Sequence, residues 1–146
     1  MRLVVQRVRS GSVSVEGRVV GEIGPGLVVL VGVREGDTDA QARWLAAKTA
    51  NLRIFPDDER RMNLSLLDAG GEVLAVSQFT LYGDAKKGNR PNFMAAMNGP
   101  EAERLCAEYC RELRERFDLK VAEGVFGAMM DVELVNDGPV TIILEK

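Results

Sequence analysis

Polar side chains interrupt apolar, β-branched sequence at Ser77-Gln78-Phe79-Thr80-Leu81-Tyr82, directly after Val73-Leu74-Ala75-Val76. Hydroxyl and amide groups placed where a strand leaves a core are held rigidly, which suits them to bind a substrate or to stabilise charge developing on it. The same pattern suits a strand whose polar residues face water, and spacing alone leaves both readings open. Imidazole chemistry is excluded, because none of the 146 residues is a histidine. That rules out Ser-His-Asp and Cys-His triads, an H-E-x-x-H zinc site and a proton shuttle titrating near neutral pH. Acid–base work must come from carboxylates, Lys, Tyr, backbone groups or the substrate itself.

Four further segments carry candidate chemistry. Asn136-Asp137-Gly138-Pro139-Val140-Thr141 reads by composition as a tight turn feeding the last strand, with an X-Pro bond of the only kind that is cis at appreciable frequency. Asp84 to Phe93 carries Lys86, Lys87 and Arg90, and Arg2, Arg7 and Arg9 form a second stretch free of acids. Both can meet phosphate oxygens, although a solvated loop is the default for the first. Asp57-Asp58-Glu59 has no partner ligands elsewhere and reads as a surface loop. Cys106 and Cys110 fall on one face of a helix, as small core residues; two thiols without histidine make a poor zinc site. No metal and no cofactor is expected.

Composition bounds the rest. Hydrophobic residues at 46% and charged residues at 28% are ordinary for one folded domain spanning 1–146. Nineteen basic against 22 acidic side chains give a net charge of −3, which argues against coating nucleic acid non-specifically and against DNA as a partner. The reduced cysteines, the charged N-terminus Met1-Arg2-Leu3-Val4-Val5-Gln6-Arg7 and the lack of an 18-residue apolar run point to the cytoplasm and to no membrane.

The elements that must position these residues follow from periodicity. Leu3 to Val8 is β-branched. Ser12 to Val15 alternates with period two, and Glu16-Gly17 leads into Arg18-Val19-Val20 as a hairpin. Gly24-Pro25-Gly26 is a turn and not a phosphate loop, and Leu27 to Val33 is a strand buried on both faces. Thr38-x-x-Gln41 is spaced as a capping box for a helix burying Ala42, Leu45, Ala46 and Thr49, with Trp44 off that stripe, under a strand or at an interface. A second helix starts at Pro100 and runs to about Phe117. Leu52–Phe55, Glu72–Phe79, Lys120–Phe126, Met130–Val135 and Val140–Leu144 read as strands. The sum is an α+β single domain with a mostly antiparallel, curled, barrel-like sheet and two main helices.

Ser77-Gln78-Phe79-Thr80-Leu81 and Asn136-Asp137-Gly138-Pro139-Val140-Thr141 together resemble the motifs of the D-aminoacyl-tRNA deacylase family. Gln6-Arg7-Val8, Arg61-Met62-Asn63-Leu64 and Gly88-Asn89-Arg90-Pro91-Asn92-Phe93 support the resemblance, which spans essentially the whole chain. It implies a homodimeric editing hydrolase that cleaves the ester between a D-amino acid and the 3′-terminal ribose of tRNA. It implies that Gly138-Pro139, with a cis bond, enters the partner's pocket, where its carbonyl oxygens exclude an L side chain while glycyl-tRNA is still accepted. The same resemblance assigns Ser77, Gln78, Phe79 and Thr80 to the catalytic site, Phe126 and Met130 to the adenosine pocket, and Arg7 to holding the Gly-Pro loop. Val125 stands where the family often has Arg, which removes one potential charge against RNA.

With no evident protein base, three devices could drive hydrolysis: N–H groups around Phe79 and Thr80 as an oxyanion site, the substrate 2′-hydroxyl activating water, or Thr80 as nucleophile. Nothing near Thr80 in the sequence would deprotonate it, which favours substrate-assisted catalysis. Two alternatives remain: an editing enzyme of the same fold acting on L-alanyl-tRNA, and a non-catalytic RNA-binding module.

Overall fold

The computed structural model describes residues 1–146, which run β1 (Arg2–Val15), β2 (Arg18–Ile23), β3 (Gly26–Gly32), α1 (Asp39–Asn51), β4 (Phe55–Pro56), β5 (Met62–Leu64), α2 (Leu66–Ala69), β6 (Glu72–Ser77), a 3-10 turn (Phe79–Tyr82), α3 (Pro100–Phe117), β7 (Val121–Glu123) and β8 (Asp131–Glu145). A strand must satisfy its backbone N–H and C=O groups on both edges when buried, and β1 does so along nearly its whole length. On one edge its first half pairs antiparallel with β3, from Arg2↔Gly32 to Val8↔Gly26, and its second half pairs with β2. The Glu16-Gly17 turn between β1 and β2 has both residues at positive φ, as a tight hairpin of right-handed twist requires. On the other edge β1 pairs with β8.

The main sheet has the order β2-β1-β3-β6-β7, with β8 on the far side of β1. Its ends curl back until β2 touches β7, so the sheet is a nearly closed barrel. It is mixed where a mostly antiparallel sheet is expected: β3–β6 and β6–β7 are parallel. The connections explain this, since α1 lies between β3 and β6 and α3 between β6 and β7, and a helical crossover returns the chain in the same direction.

The apolar pattern sorts into two cores. Leu27, Val29 and Val31 of β3 face α1 and α3, together with Leu3, Val5, Leu45, Leu105, Tyr109 and Leu113. Val28 points the other way, into the barrel with Val8, Val13, Ile23, Leu74 and Val76, which is why β3 reads as an unbroken apolar run. The Thr38–Gln41 capping box forms, and Ala42, Leu45, Ala46 and Thr49 are buried as the spacing predicts. The Tyr109 hydroxyl, inside the helix layer, donates to Thr49 Oγ1 at 3.0 Å, and Thr49 donates to the Leu45 carbonyl. Trp44 lies at the surface and not under a strand, with the Lys48 and Lys146 ammonium groups 5.5 and 5.4 Å from its ring centre.

Four strand expectations are corrected; of the run expected over Lys120–Phe126, only Val121–Glu123 pairs. Leu52–Ile54 is coil and only Phe55–Pro56 pairs; the Ile54 carbonyl is taken by the Arg7 guanidinium and not by a ladder. The run expected to reach Phe79 stops at Ser77 and tightens into the 3-10 turn. Met130–Val135 and Val140–Leu144 are not two strands joined by a hairpin: both halves pair with β1 and make one strand, β8, interrupted by an excursion.

The two glycines of the Gly24-Pro25-Gly26 turn are not equivalent. A Cβ on Gly26 would lie 2.0 Å from the Glu72 carbonyl oxygen and 2.6 Å from its nitrogen, whereas one on Gly24 would meet nothing within 4 Å. The close approach at Gly26 starts the parallel β3–β6 pairing. Urea unfolding should therefore show Gly26→Ala destabilised by about 1–3 kcal/mol. Gly24→Ala should be neutral or stabilising by up to about 1 kcal/mol; equal effects would contradict this placement.

Candidate active site

β6 lies between β3 and β7 and delivers Ser77 to its end, where the Gln78 N–H donates to the Val31 carbonyl at 2.8 Å. The chain then turns, with Leu81 N–H on the Gln78 carbonyl and Gly83 N–H on that of Thr80. The N–H groups of Phe79 and Thr80 precede the first bond of this turn, so they have no acceptor within it. The Gln78 side-chain amide donates to the Thr80 hydroxyl, which fixes both. Ser77 and Gln78 are half-buried, whereas Phe79 and Thr80 are exposed.

This turn forms one wall of a cavity of about 540 Å³. Val31 and Val33 line the floor, Ala102 and Cys106 of α3 a second wall, and Phe126, Met129 and Met130 a third. Met130 folds over Gly124, where a Cβ would lie 2.6 Å from its sulfur. The structure thus brings Ser77, Gln78, Phe79, Thr80, Phe126 and Met130 to one site. It adds Met97, Asn98, Gly99, Ala102 and Cys106, which sequence reasoning missed. Asn98-Gly99-Pro100 signals a helix start, but nothing in that signal says the helix opens onto a cavity.

The lining contains no carboxylate, lysine or arginine. Its one ionisable group, the Cys106 thiol, is pushed up to about 12 by burial, with Glu123 and Glu103 adding to the shift, and Cys110 behind it is raised by burial as well. Tyr82, at the end of the turn, is pushed up to about 12 by burial and lies outside the lining. The polar atoms offered to a bound molecule are therefore neutral: hydroxyls, amides and backbone N–H groups. No group of three or more His, Cys, Asp or Glu side chains converges in the chain. The Asp57 carboxylate is turned onto the Glu59 and Arg61 N–H groups, and the bond from Arg61 holds its pKa below the usual range.

Arg7, Gly138 and Pro139 do not line this cavity. They meet each other elsewhere, where β8 departs from β1: pairing goes from Gln6↔Thr141 to Val8↔Asn136, so Arg7 alone stands opposite Asp137, Gly138, Pro139 and Val140. Arg7 is 8% exposed; its Nε donates to the Asp137 carbonyl at 3.0 Å and pairs with the Asp137 carboxylate at 3.1 Å, and its Nη1 donates to the Ile54 carbonyl. The Gly138–Pro139 bond is cis. Gly138 has φ of +134°, and a Cβ there would lie 2.9 Å from Val140, so glycine is required. Gly138 and Pro139 are both exposed at the surface.

Thiolate is needed for alkylation and disulfide exchange, and groups titrating this high stay protonated at neutral pH. Ellman's reagent at pH 8 should label neither cysteine in the native protein and both after guanidinium unfolding; rapid labelling of Cys106 in the native state would contradict the assignment.

Comparison with known proteins places the architecture. The family model described as D-Tyr-tRNA(Tyr) deacylase matches residues 4–145. The chain is 57% identical over 146 residues to a D-aminoacyl-tRNA deacylase of Bacillus velezensis, covering 100% of this chain and 99% of that protein. It is also 57% identical to one of Brevibacillus brevis, covering both chains fully. A solved chain named c-Myc DNA unwinding element binding protein superposes with a TM-score of 0.92 at 42% identity, covering 100% of this chain and 99% of the other. A probable eukaryotic D-amino acid tRNA deacylase, at 20% identity and a TM-score of 0.82 over 98% of this chain and 97% of its own, shares the fold.

Proposed function

The chain belongs to the D-Tyr-tRNA(Tyr) deacylase family, and we propose that its cavity receives the 3′-terminal adenosine of a D-aminoacyl-tRNA and hydrolyses the ester to free D-amino acid and tRNA. The observation that carries this reading is the meeting of the Ser77–Thr80 turn with Phe126 and Met130 around one cavity lacking a titrating group near neutral pH. Phe126 and Met130 supply apolar surface for the adenine. The free N–H groups of Phe79 and Thr80 receive the oxygen that becomes negative when water adds to the ester carbonyl. Proton movement is left to the substrate: the ribose 2′-hydroxyl takes a proton from the attacking water and passes its own to the departing 3′-oxygen. Thr80 positions and does not attack, since its hydroxyl accepts from the Gln78 amide and no base stands beside it.

Selectivity for the D configuration comes from Gly138 and Pro139 of a second copy. Two features support this arrangement. The excursion is exposed and lies outside its own chain's cavity, and β8 pairs only with β1, leaving a free edge that carries exposed Val132, Val135 and Ile143. Homodimerisation through this face brings the Gly138 and Pro139 carbonyl oxygens to the substrate α-carbon, on the side an L side chain would need. Glycine, with no side chain to exclude, is hydrolysed too. The enzyme acts in the cytoplasm, where tRNA is charged. The net charge of −3 favours a grip on one end of tRNA over wrapping a DNA duplex.

Release of D-Tyr, Gly and L-Ala from the corresponding aminoacyl-tRNAs, followed by acid precipitation of labelled tRNA, tests the assignment. D-Tyr and Gly should be released rapidly and L-Ala at the uncatalysed rate, with sedimentation showing a dimer. Preferential L-Ala release would assign the chain to a different editing specificity, and tRNA binding without turnover would make it a binding module. Thr80→Ala should retain kcat within about tenfold, because losing a positioning hydrogen bond costs about 1 kcal/mol. A fall of about 10³-fold or more in a folded variant that still binds tRNA would instead assign Thr80 as the nucleophile.

A further inference from the structure

We infer that the loop carrying Lys86, Lys87 and Arg90 is the phosphate-binding arm of the site, taking the sugar–phosphate backbone of the acceptor end as it leaves the cavity; this rests on the tRNA reading above. Two basic stretches stand out in the sequence, and the structure treats them oppositely. Arg2 pairs with Glu145, and Arg7 and Arg9 share Asp137, so each N-terminal cation has a carboxylate partner within the chain. None of the chain's ion pairs involves Lys86, Lys87 or Arg90, and all three are exposed. The nearby Asp84 carboxylate accepts the Lys86 backbone N–H at 2.9 Å. In a chain of net negative charge, three unpaired cations within five residues form a local positive surface with no internal role.

Position supplies the second argument. The loop leaves the cavity wall after Thr80 and rejoins it at Met97. Its neck is closed by paired bonds between Asp84 and Asn92, 2.8 and 2.9 Å, and Phe93 packs edge-on against Phe79 with ring centres 5.1 Å apart. The loop is thus tied to the cavity wall at both ends, with Lys86 within roughly 20 Å of Thr80 even for a fully extended chain. A nucleotide strand whose last base sits in the cavity carries its next phosphates past the rim. A single copy of each cation suffices there, because phosphate contacts position a strand without reading its sequence.

The test is the triple variant K86A/K87A/R90A, with binding of uncharged tRNA measured by fluorescence anisotropy across a salt series. Affinity at about 0.1 M salt should fall roughly tenfold or more, and the slope of log K against log salt should shrink by about two to three. In kinetics, kcat/KM on D-aminoacyl-tRNA should fall relative to that on a D-aminoacyl ester of adenosine, which has no strand to hold. Binding and salt slope equal to wild type would overturn the inference, as would equal losses on both substrates, which would mean that the loop only props Phe79. Absence of turnover by the wild type, with binding still dependent on the loop, would overturn the hydrolase reading and leave the phosphate arm standing.

Discussion

The structure turns on a mismatch of length between two paired strands. β1 and β8 run antiparallel for most of their lengths, yet where β1 spends one residue, Arg7, β8 spends four, Asp137 to Val140. The surplus cannot stay in the ladder, so it leaves the sheet as an exposed excursion with Gly138-Pro139 at its tip. Arg7 then does what the missing ladder bonds would have done: its guanidinium holds the carbonyl and carboxylate of Asp137 and reaches across to the Ile54 carbonyl. A planar, permanently charged fork can satisfy these acceptors together, and lysine could not. The cost of burying this charge is offset because its partners are an ion and carbonyls already committed to it. The coil at Leu52–Ile54, which leaves the Ile54 carbonyl free of any ladder, is part of the same arrangement.

A second constraint follows from what the cavity lacks. With hydroxyls, amides and N–H groups but no group that titrates near neutral pH, its walls can orient a substrate and stabilise an oxyanion yet cannot take a proton from water. Such a site depends on a substrate that brings its own proton acceptor. On the proposed reading the ribose of an aminoacylated tRNA does this, because the hydroxyl adjacent to the ester is fixed beside the carbonyl by covalent geometry and needs no positioning by the protein. The absence of histidine then has a structural counterpart: the walls are free to be apolar and close-fitting, as discrimination by shape requires.

Much of this was legible in the sequence, and the reasons are local. The capping box at Thr38, Pro100 at a helix start and the Glu16-Gly17 turn are short-range signals, and each specified its element. The polar run Ser77–Thr80 was visible because it breaks a β-branched strand. What stayed hidden depends on pairing across the chain. Asn136–Thr141 has the composition of a hairpin turn, and only the fact that both flanking runs lie on β1 makes it an excursion within one strand. The parallel β3–β6 pairing is likewise invisible in either strand alone, since a strand buried on both faces looks the same whichever way its neighbour runs. Cys106 reads as a small core residue of a helix, because core and cavity wall demand the same small residues.

The proposed function places binding and discrimination in different parts of the molecule. In the proposed arrangement the cavity and the Gly138-Pro139 tip of a second copy work by exclusion, and exclusion adds nothing to affinity: a site that rejects one enantiomer by lack of room makes no new contact with the other. A neutral cavity likewise gains little from the charge of its ligand. On the same reading, affinity for so large and anionic a substrate comes from contacts far from the ester, and that remote energy is spent on holding the scissile bond against the Phe79 and Thr80 N–H groups. A separation of this kind makes side-chain identity on the amino acid nearly irrelevant to binding. On that reading only the configuration at the α-carbon is tested.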